Sequence, residues 1–245
     1  TDTVRHAPET LRVRVGSVSG SRFGSLQCLG LAICHMHDAG TPSRFKSFGQ
    51  FNIVCGGKMA LIDVKNKVIH CHIVYYGTAM SGRTTNLVYI HKNTRIESIS
   101  SIDVAKHPYT IHFYCVHPET VRGYQIYFHV STNPGVLIND KERKSIIKQA
   151  DGVVIVIDSR RGKINENKLA IKEMKSAMKL YNKGIENFPI VMQYNKQDFP
   201  DALSFDELNK RFNLYNWSHV EAIATSGVGV LETYSIICEK IINKL

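Results

Sequence analysis

Long apolar runs are missing from this 245-residue chain. None approaches the ~20 residues that a bilayer-spanning helix needs, so an integral membrane protein is excluded. Paired cysteine motifs are missing too. Cys28, Cys34, Cys55, Cys71, Cys115 and Cys238 include no CxxC spacing. A chain of this length needs no disulfide staples, and free thiols in a reducing cytoplasm are expected. The 11 histidines contain no HExxH or other dense ligand spacing, which argues against a metal centre built from them. His70 and His72 share one face of a predicted strand, and a plain sheet-face pair is the simpler reading. No basic, apolar, small-residue leader opens the chain at Thr1. Acidic residues are scarce, 21 against 31 basic ones, for a formal charge of +10. That balance permits anionic partners without choosing among nucleotides, nucleic acid and lipid. The basic residues are scattered and no nucleic-acid-binding motif is present, so no specific nucleic acid is expected.

What is present falls into two unlike parts. Residues 1–58 hold eight of the 17 glycines, irregularly spaced and often beside serine. Neither a 3.6- nor a 2-residue hydrophobic period is sustained there. Pro42 and Gly56-Gly57 interrupt the short apolar pieces. This predicts a loosely ordered or non-native N-terminal extension; a regulatory arm and a start at Met59 are the alternatives. From residue 59 to 245 the pattern alternates between β and α. Strands are predicted at 68–76, 110–116, 124–130, 152–157, 189–194 and 220–224. Helices are predicted at 84–93, 140–149, 165–182, 204–212 and 230–242. Gly152 to Ile157 is continuously apolar, the mark of a strand buried on both faces. Ser204 and Glu207 form a capping-box pair. Such alternation predicts an α/β fold, a mostly parallel central sheet flanked by helices on both faces. Ligands of such sheets bind beyond the carboxyl ends of the strands.

The sharpest motif begins where the first of these strands ends. Gly77-Thr78-Ala79-Met80-Ser81-Gly82-Arg83-Thr84-Thr85 follows the GxxxxGK[ST] template except at Arg83. Glycines at both ends let the backbone wrap an anion with its N–H groups inward. The following helix presents its positive end to the same phosphates. Gly77, Ser81, Gly82, Arg83, Thr84 and Thr85 are the predicted phosphate-binding residues, and the Thr84 hydroxyl is the predicted Mg²⁺ ligand. Arginine keeps the charge but is a planar fork with a different reach from lysine. Weaker affinity, or a bias between di- and triphosphate, is expected.

About 110 residues later, at the end of another predicted strand, stands an intact NKxD: Asn195-Lys196-Gln197-Asp198. The Asp198 carboxylate matches the N1–H and 2-amino donors of guanine. Adenine offers no such pair, and an unpaired polar group is penalised by ~1–3 kcal/mol. Asn195 is expected to tie this loop to the phosphate loop, and the Lys196 stem to cover the base face. Thr225 and Ser226, after the last strand, are placed to offer backbone N–H groups to the guanine carbonyl.

With these motifs on the page, the chain from Asp63 to Leu245 resembles the small Ras-like GTPases with their P-loop NTPase fold, and within them the MglA group of bacterial gliding-motility and polarity proteins. Further matches are Tyr89-Ile90, Gly123-Tyr124-Gln125, Thr132-Asn133-Pro134-Gly135, Ala150-Asp151-Gly152 and Gly227-Val228-Gly229. The resemblance implies GTP or GDP with Mg²⁺, switch loops at 94–111 and 132–148, a Roadblock-fold activating partner, and polarity or motility effectors. Thr110, Ile111, Thr132, Pro134 and Gly135 are the expected switch residues. Departures fall on the hydrolytic parts. The family's water-positioning glutamine is Val136 here, and valine has no group to orient water. Aligning the family's proline on Pro118 puts Thr110 and Ile111 at its arginine and threonine; a one-residue slip restores a hydroxyl through Thr110. An arginine finger is worth ~10³–10⁵ in rate. The expectation is therefore guanine-nucleotide binding with weak or absent hydrolysis. The alternatives are a cycling GTPase completed by a partner, and a scaffold that binds no nucleotide.

Overall fold

The structure, a computed structural model, describes residues 60–94, 112–132 and 140–245. The expected extension at 1–58, together with Met59, Thr110, Ile111, Pro134, Gly135 and Val136, lies outside the described residues.

Chain order is β1 (Leu61–Asp63), β2 (Val68–Gly77), α1 (Arg83–Asn93), β3 (His112–Val121), β4 (Tyr124–Thr132), α2 (Asp140–Gln149), β5 (Gly152–Asp158), α3 (Ile164–Leu180), β6 (Ile190–Asn195), α4 (Phe205–Phe212), β7 (Ser218–Ala222) and α5 (Val230–Ile242). The strands form one sheet in the order β3-β4-β2-β5-β6-β7, with β1 paired to the start of β2. Pairing is parallel from β4 through β2, β5 and β6 to β7. The β3–β4 hairpin and β1–β2 are antiparallel. The sheet is thus mostly parallel, as the alternation predicts, with an antiparallel edge.

Helices cover both faces. On one side Leu87 and Ile90 of α1 and Val230, Ile237 and Ile241 of α5 pack on Ile69, Cys71, Ile73 and Tyr75 of β2. On the other, Met174 and Met178 of α3 and Leu208 and Phe212 of α4 pack on Val153, Ile155 and Ile157. β5 and β6 are buried along their whole length, because parallel central strands are covered twice. Cys71, Cys115 and Cys238 are free and buried, so they behave as small hydrophobes. Ser204 caps α4, its Oγ accepting from the Glu207 N–H at 3.3 Å. The Glu207 carboxylate turns to Arg211 at 2.7 Å instead of closing the box.

Three expectations need correction. β1 precedes the first predicted strand, where no element is predicted; at three residues it is too short to carry a period. β3 runs to Val121 through a register shift between Val116 and Thr120. The last strand is Ser218–Ala222, not 220–224. Polar Ser218 and His219 join the ladder opposite Val191 and Met192, while Ala224 turns its N–H to Asn195.

His70 and His72 do share a face, and the sheet adds to them. His70 Nδ1 lies 2.9 Å from His129 Nε2. His129 stacks on His72 and on His112, with ring centres 4.8 and 5.6 Å apart. Burial holds His72 down at about 4 and His129 at about 3, and lowers His70 and His112. Among the described residues no cluster has the geometry of a metal site.

Candidate functional site

The carboxyl ends of β2, β5 and β6 point to one edge of the sheet, and the predicted loops meet there. β2 ends at Gly77, whose φ is 150°; a Cβ would stand 2.3 Å from the Val156 carbonyl oxygen. Gly82 adopts φ 100°, and its Cβ would stand 2.1 Å from Asn195 Nδ2. Both positions demand glycine: one for the strand packed alongside, the other because a side chain from the second motif occupies the space.

That side chain is the centre of the arrangement. Asn195 Nδ2 donates to the Ser81 carbonyl at 2.8 Å, and its Oδ1 accepts from the Ala224 N–H at 2.9 Å. One buried amide, 1% exposed, thereby joins the phosphate loop, the NKxD loop and the loop after β7. The expected tie between the first two loops is present, and the third is included in it.

The phosphate loop carries buried polar atoms without protein partners. Thr78 Oγ1 and Ser81 Oγ make no hydrogen bond, at 8% and 0% exposure. Buried hydroxyls are rarely left so, because each costs ~1–3 kcal/mol. The start of α1 has no side-chain cap and no acidic residue in its first turn. Its N-terminal N–H groups therefore remain open to an outside anion. The donor set fits a polyphosphate. Thr84, the expected cation ligand, is exposed. Arg83 is the first residue of α1 and is buried, 6% exposed. Thr132 ends β4 beside Tyr75; it is 1% exposed and its hydroxyl has no partner.

After β6, Asp198 is exposed, and among the described residues it makes no hydrogen bond or ion pair. Lys196 sits at φ 70° and is tied down: its Nζ donates to Asp158 Oδ2 at 2.9 Å. Arg160 binds the same carboxylate at 2.7 Å. Burial raises the Asp158 carboxyl, but these two cations outweigh it and hold the pKa below the usual carboxylate value. Gln197 Nε2 donates to Ser159 Oγ at 2.8 Å, a second tie to the end of β5. In the third loop, Ser226 already gives its N–H to the Ile223 carbonyl at 3.1 Å. Among the described residues, the Thr225 N–H has no backbone partner.

Sequence reasoning missed a polar belt beneath the loops. Asn86 Nδ2 donates to the Gly82 carbonyl at 2.9 Å. Gln193 Nε2 reaches Asn86 Oδ1 at 2.9 Å and Thr233 Oγ1 at 3.0 Å. Thr233 Oγ1 donates to the Gly229 carbonyl at 2.6 Å. All three residues are fully buried. The belt ties the phosphate loop to the first turn of α5. A signal did exist: Gln193 is the one amide inside the apolar run Ile190 to Tyr194, and a buried strand carries such a residue only when it is partnered. Asp158 was missed likewise; Arg160 is only two residues on, but its other cation, Lys196, comes from a loop distant in sequence.

The profile of the ADP-ribosylation factor family matches residues 59–243. The chain is also 32% identical over 191 residues to the mutual gliding-motility protein MglA of Myxococcus xanthus (strain DK1622), a match covering 76% of this chain and 98% of that protein.

Proposed function

Because the chain belongs to the ADP-ribosylation factor family of small Ras-like GTPases, we propose that it binds guanine nucleotide with Mg²⁺ and serves motility or polarity as a switch or scaffold, with weak or absent GTP hydrolysis of its own. The observation that carries the reading is Asn195. Its amide holds three loops together around orphaned hydroxyls on one side and an unpartnered Asp198 on the other.

Each residue has a physical task. Gly77 to Thr85 wrap the phosphates, with Thr78 and Ser81 hydroxyls and the N–H groups of α1 as donors. Arg83 supplies positive charge at the loop. Thr84 would hold Mg²⁺, which would supply positive charge to offset that of the phosphates. Asp198 selects guanine by accepting from its two donors, and the Thr225 N–H meets its carbonyl. Asp158, through Lys196, fixes the loop that carries Asp198. Valine at 136 leaves no side chain there to orient water, which supports slow hydrolysis. The nucleotide state would then be read through residues 94–111 and 132–148. A Roadblock-fold activator and polarity effectors are the partner classes proposed from the family resemblance.

The test starts with the purified protein. Denaturation followed by chromatography is expected to release GDP or GTP. Calorimetry with excess Mg²⁺ should register heat for both, with ATP unable to compete. Single-turnover hydrolysis should stay near the uncatalysed background. ATP outcompeting GTP would overturn the binding assignment. A rate well above background would make the protein a cycling enzyme.

A further inference from the structure

The C-terminal two-thirds of α3 carries a feature unrelated to the proposed nucleotide site. Lys168, Lys172, Lys175 and Lys179 recur at intervals of four, three and four, so they form one stripe along the helix. Among the described residues, no carboxylate pairs with Lys168, Lys172 or Lys179. Such a stripe is commonly just a solvated face. Here it borders a cavity of about 710 Å³ that Lys183, Arg211 and Leu214 also line. The floor is apolar: Ile171, Met178, Ile185 and Phe212. Leu214 stands at the rim, 77% exposed.

The groove faces away from the phosphate loop. Lys183 donates to the Ala150 carbonyl, just ahead of β5, and Leu214 lies between α4 and the start of β7. Both mark the amino ends of the parallel strands, opposite the edge where nucleotide is proposed to bind.

We propose that this groove is a docking surface for an acidic amphipathic protein segment, whose apolar side chains fill the floor while its carboxylates meet the lysine stripe. Charge complementarity selects an acidic partner. The recessed apolar floor selects a peptide with anchor side chains, the mode in which a helix lays its apolar face into a groove. A flat bilayer cannot reach such a floor. A nucleic-acid backbone gains nothing from it, and the adjacent aromatic is not free for a base: Tyr215 stacks on Trp217 at 4.9 Å and is covered by the Lys175 ammonium at 4.8 Å. The proposal is independent of the nucleotide reading.

The probe is a fluorescein-labelled helical peptide of about 16 residues, with leucines at i, i+4, i+7 and i+11 and glutamates between them. Anisotropy is followed on the full chain, with and without GDP. Binding should saturate below about 1 mM, weaken at least tenfold on going from low to about 0.3 M salt, and ignore GDP. A Lys172→Glu/Lys179→Glu double variant should weaken it at least tenfold, and Leu214→Ala several-fold. All three positions are exposed, so thermal unfolding should be unchanged. A peptide with every glutamate replaced by lysine should not bind. Failure to saturate, or indifference to both variants, overturns the proposal. So does variant-sensitive binding of a single-stranded thymidine oligonucleotide, or of phosphatidylglycerol vesicles, with no binding of the peptide.

Discussion

The two halves of the proposed nucleotide site are built differently. In the base half nearly every polar group is already satisfied within the protein. Asn195 uses both ends of its amide, Lys196 and Arg160 share Asp158, and Gln197 holds Ser159. Among the described residues there, Asp198 has no partner in the fold and the Thr225 N–H no backbone partner, and both remain for a ligand in the proposed reading. In the phosphate half the reverse holds: Thr78 and Ser81 are buried without partners and the start of α1 is uncapped. A site for a base needs one pattern of donors and acceptors held rigidly, so its supports are bonded to one another. A site for a polyanion needs many donors turned toward one place, so its groups stay unmatched until the anion arrives. The contrast predicts that damage to the base half costs specificity, whereas damage to the phosphate half costs affinity for any nucleotide.

The harshest break is Gly82→Val. It places a branched side chain at φ 100° and in the space of the Asn195 amide, so both halves fail together. Nucleotide binding should vanish, and the melting temperature should fall by several degrees for the ~1–3 kcal/mol of backbone strain. Retained binding in calorimetry would mean the loops are not locked to one another. Next is Asp198→Asn, which should weaken GDP about hundredfold by removing two charge-assisted bonds, and should leave ATP binding as poor as before. An equal loss for both nucleotides would erase the division of labour. Asn195→Ala removes two buried bonds and should cost at least tenfold in affinity. It should also lower stability without nucleotide, because its partners Ser81 and Ala224 belong to the fold. Arg83→Lys probes the phosphate half alone. The ratio of GTP to GDP affinity should change several-fold while guanine selectivity stays constant.

Acid gives the mildest test. His72 and His129, with His70 and His112, have lowered folded values, so the unfolded chain binds more protons as pH falls below 6.5. Stability from this face is complete above pH 6.5 and declines toward pH 4. Lys183 faces His72 and further disfavours its charge, whereas Asp63 opposes the shift at His70. Asp151, raised to about 6 by burial, works the other way between pH 6 and 3.8. Four groups against one leave a net loss. Asp158, lowered by its two cations, gives stability that persists to below pH 3.8 and is lost only as pH falls through its folded value. Melting temperature should therefore drop between pH 7 and 5 while guanine preference holds. His129→Phe should reduce that drop.

Much of this molecule could be read from residue order. Strand β5 and the phosphate loop announce themselves by local pattern, an apolar run and glycines at fixed offsets, because their chemistry is contained in a few adjacent residues. The NKxD loop is equally local. What pattern could not assign were pairings between distant segments: β1 against β2, the belt from Asn86 through Gln193 to Thr233, and the capture of Lys196 by Asp158. Four histidines assembled from three strands belong with them, as does the recess that turns a lysine stripe into a groove. Residue order alone determined which chemistry is present and which loop carries it. Only the packed sheet decided which polar groups are spent on one another and which are left for a ligand, since hydrogen bonds and burial depend on neighbours that folding brings together from across the chain.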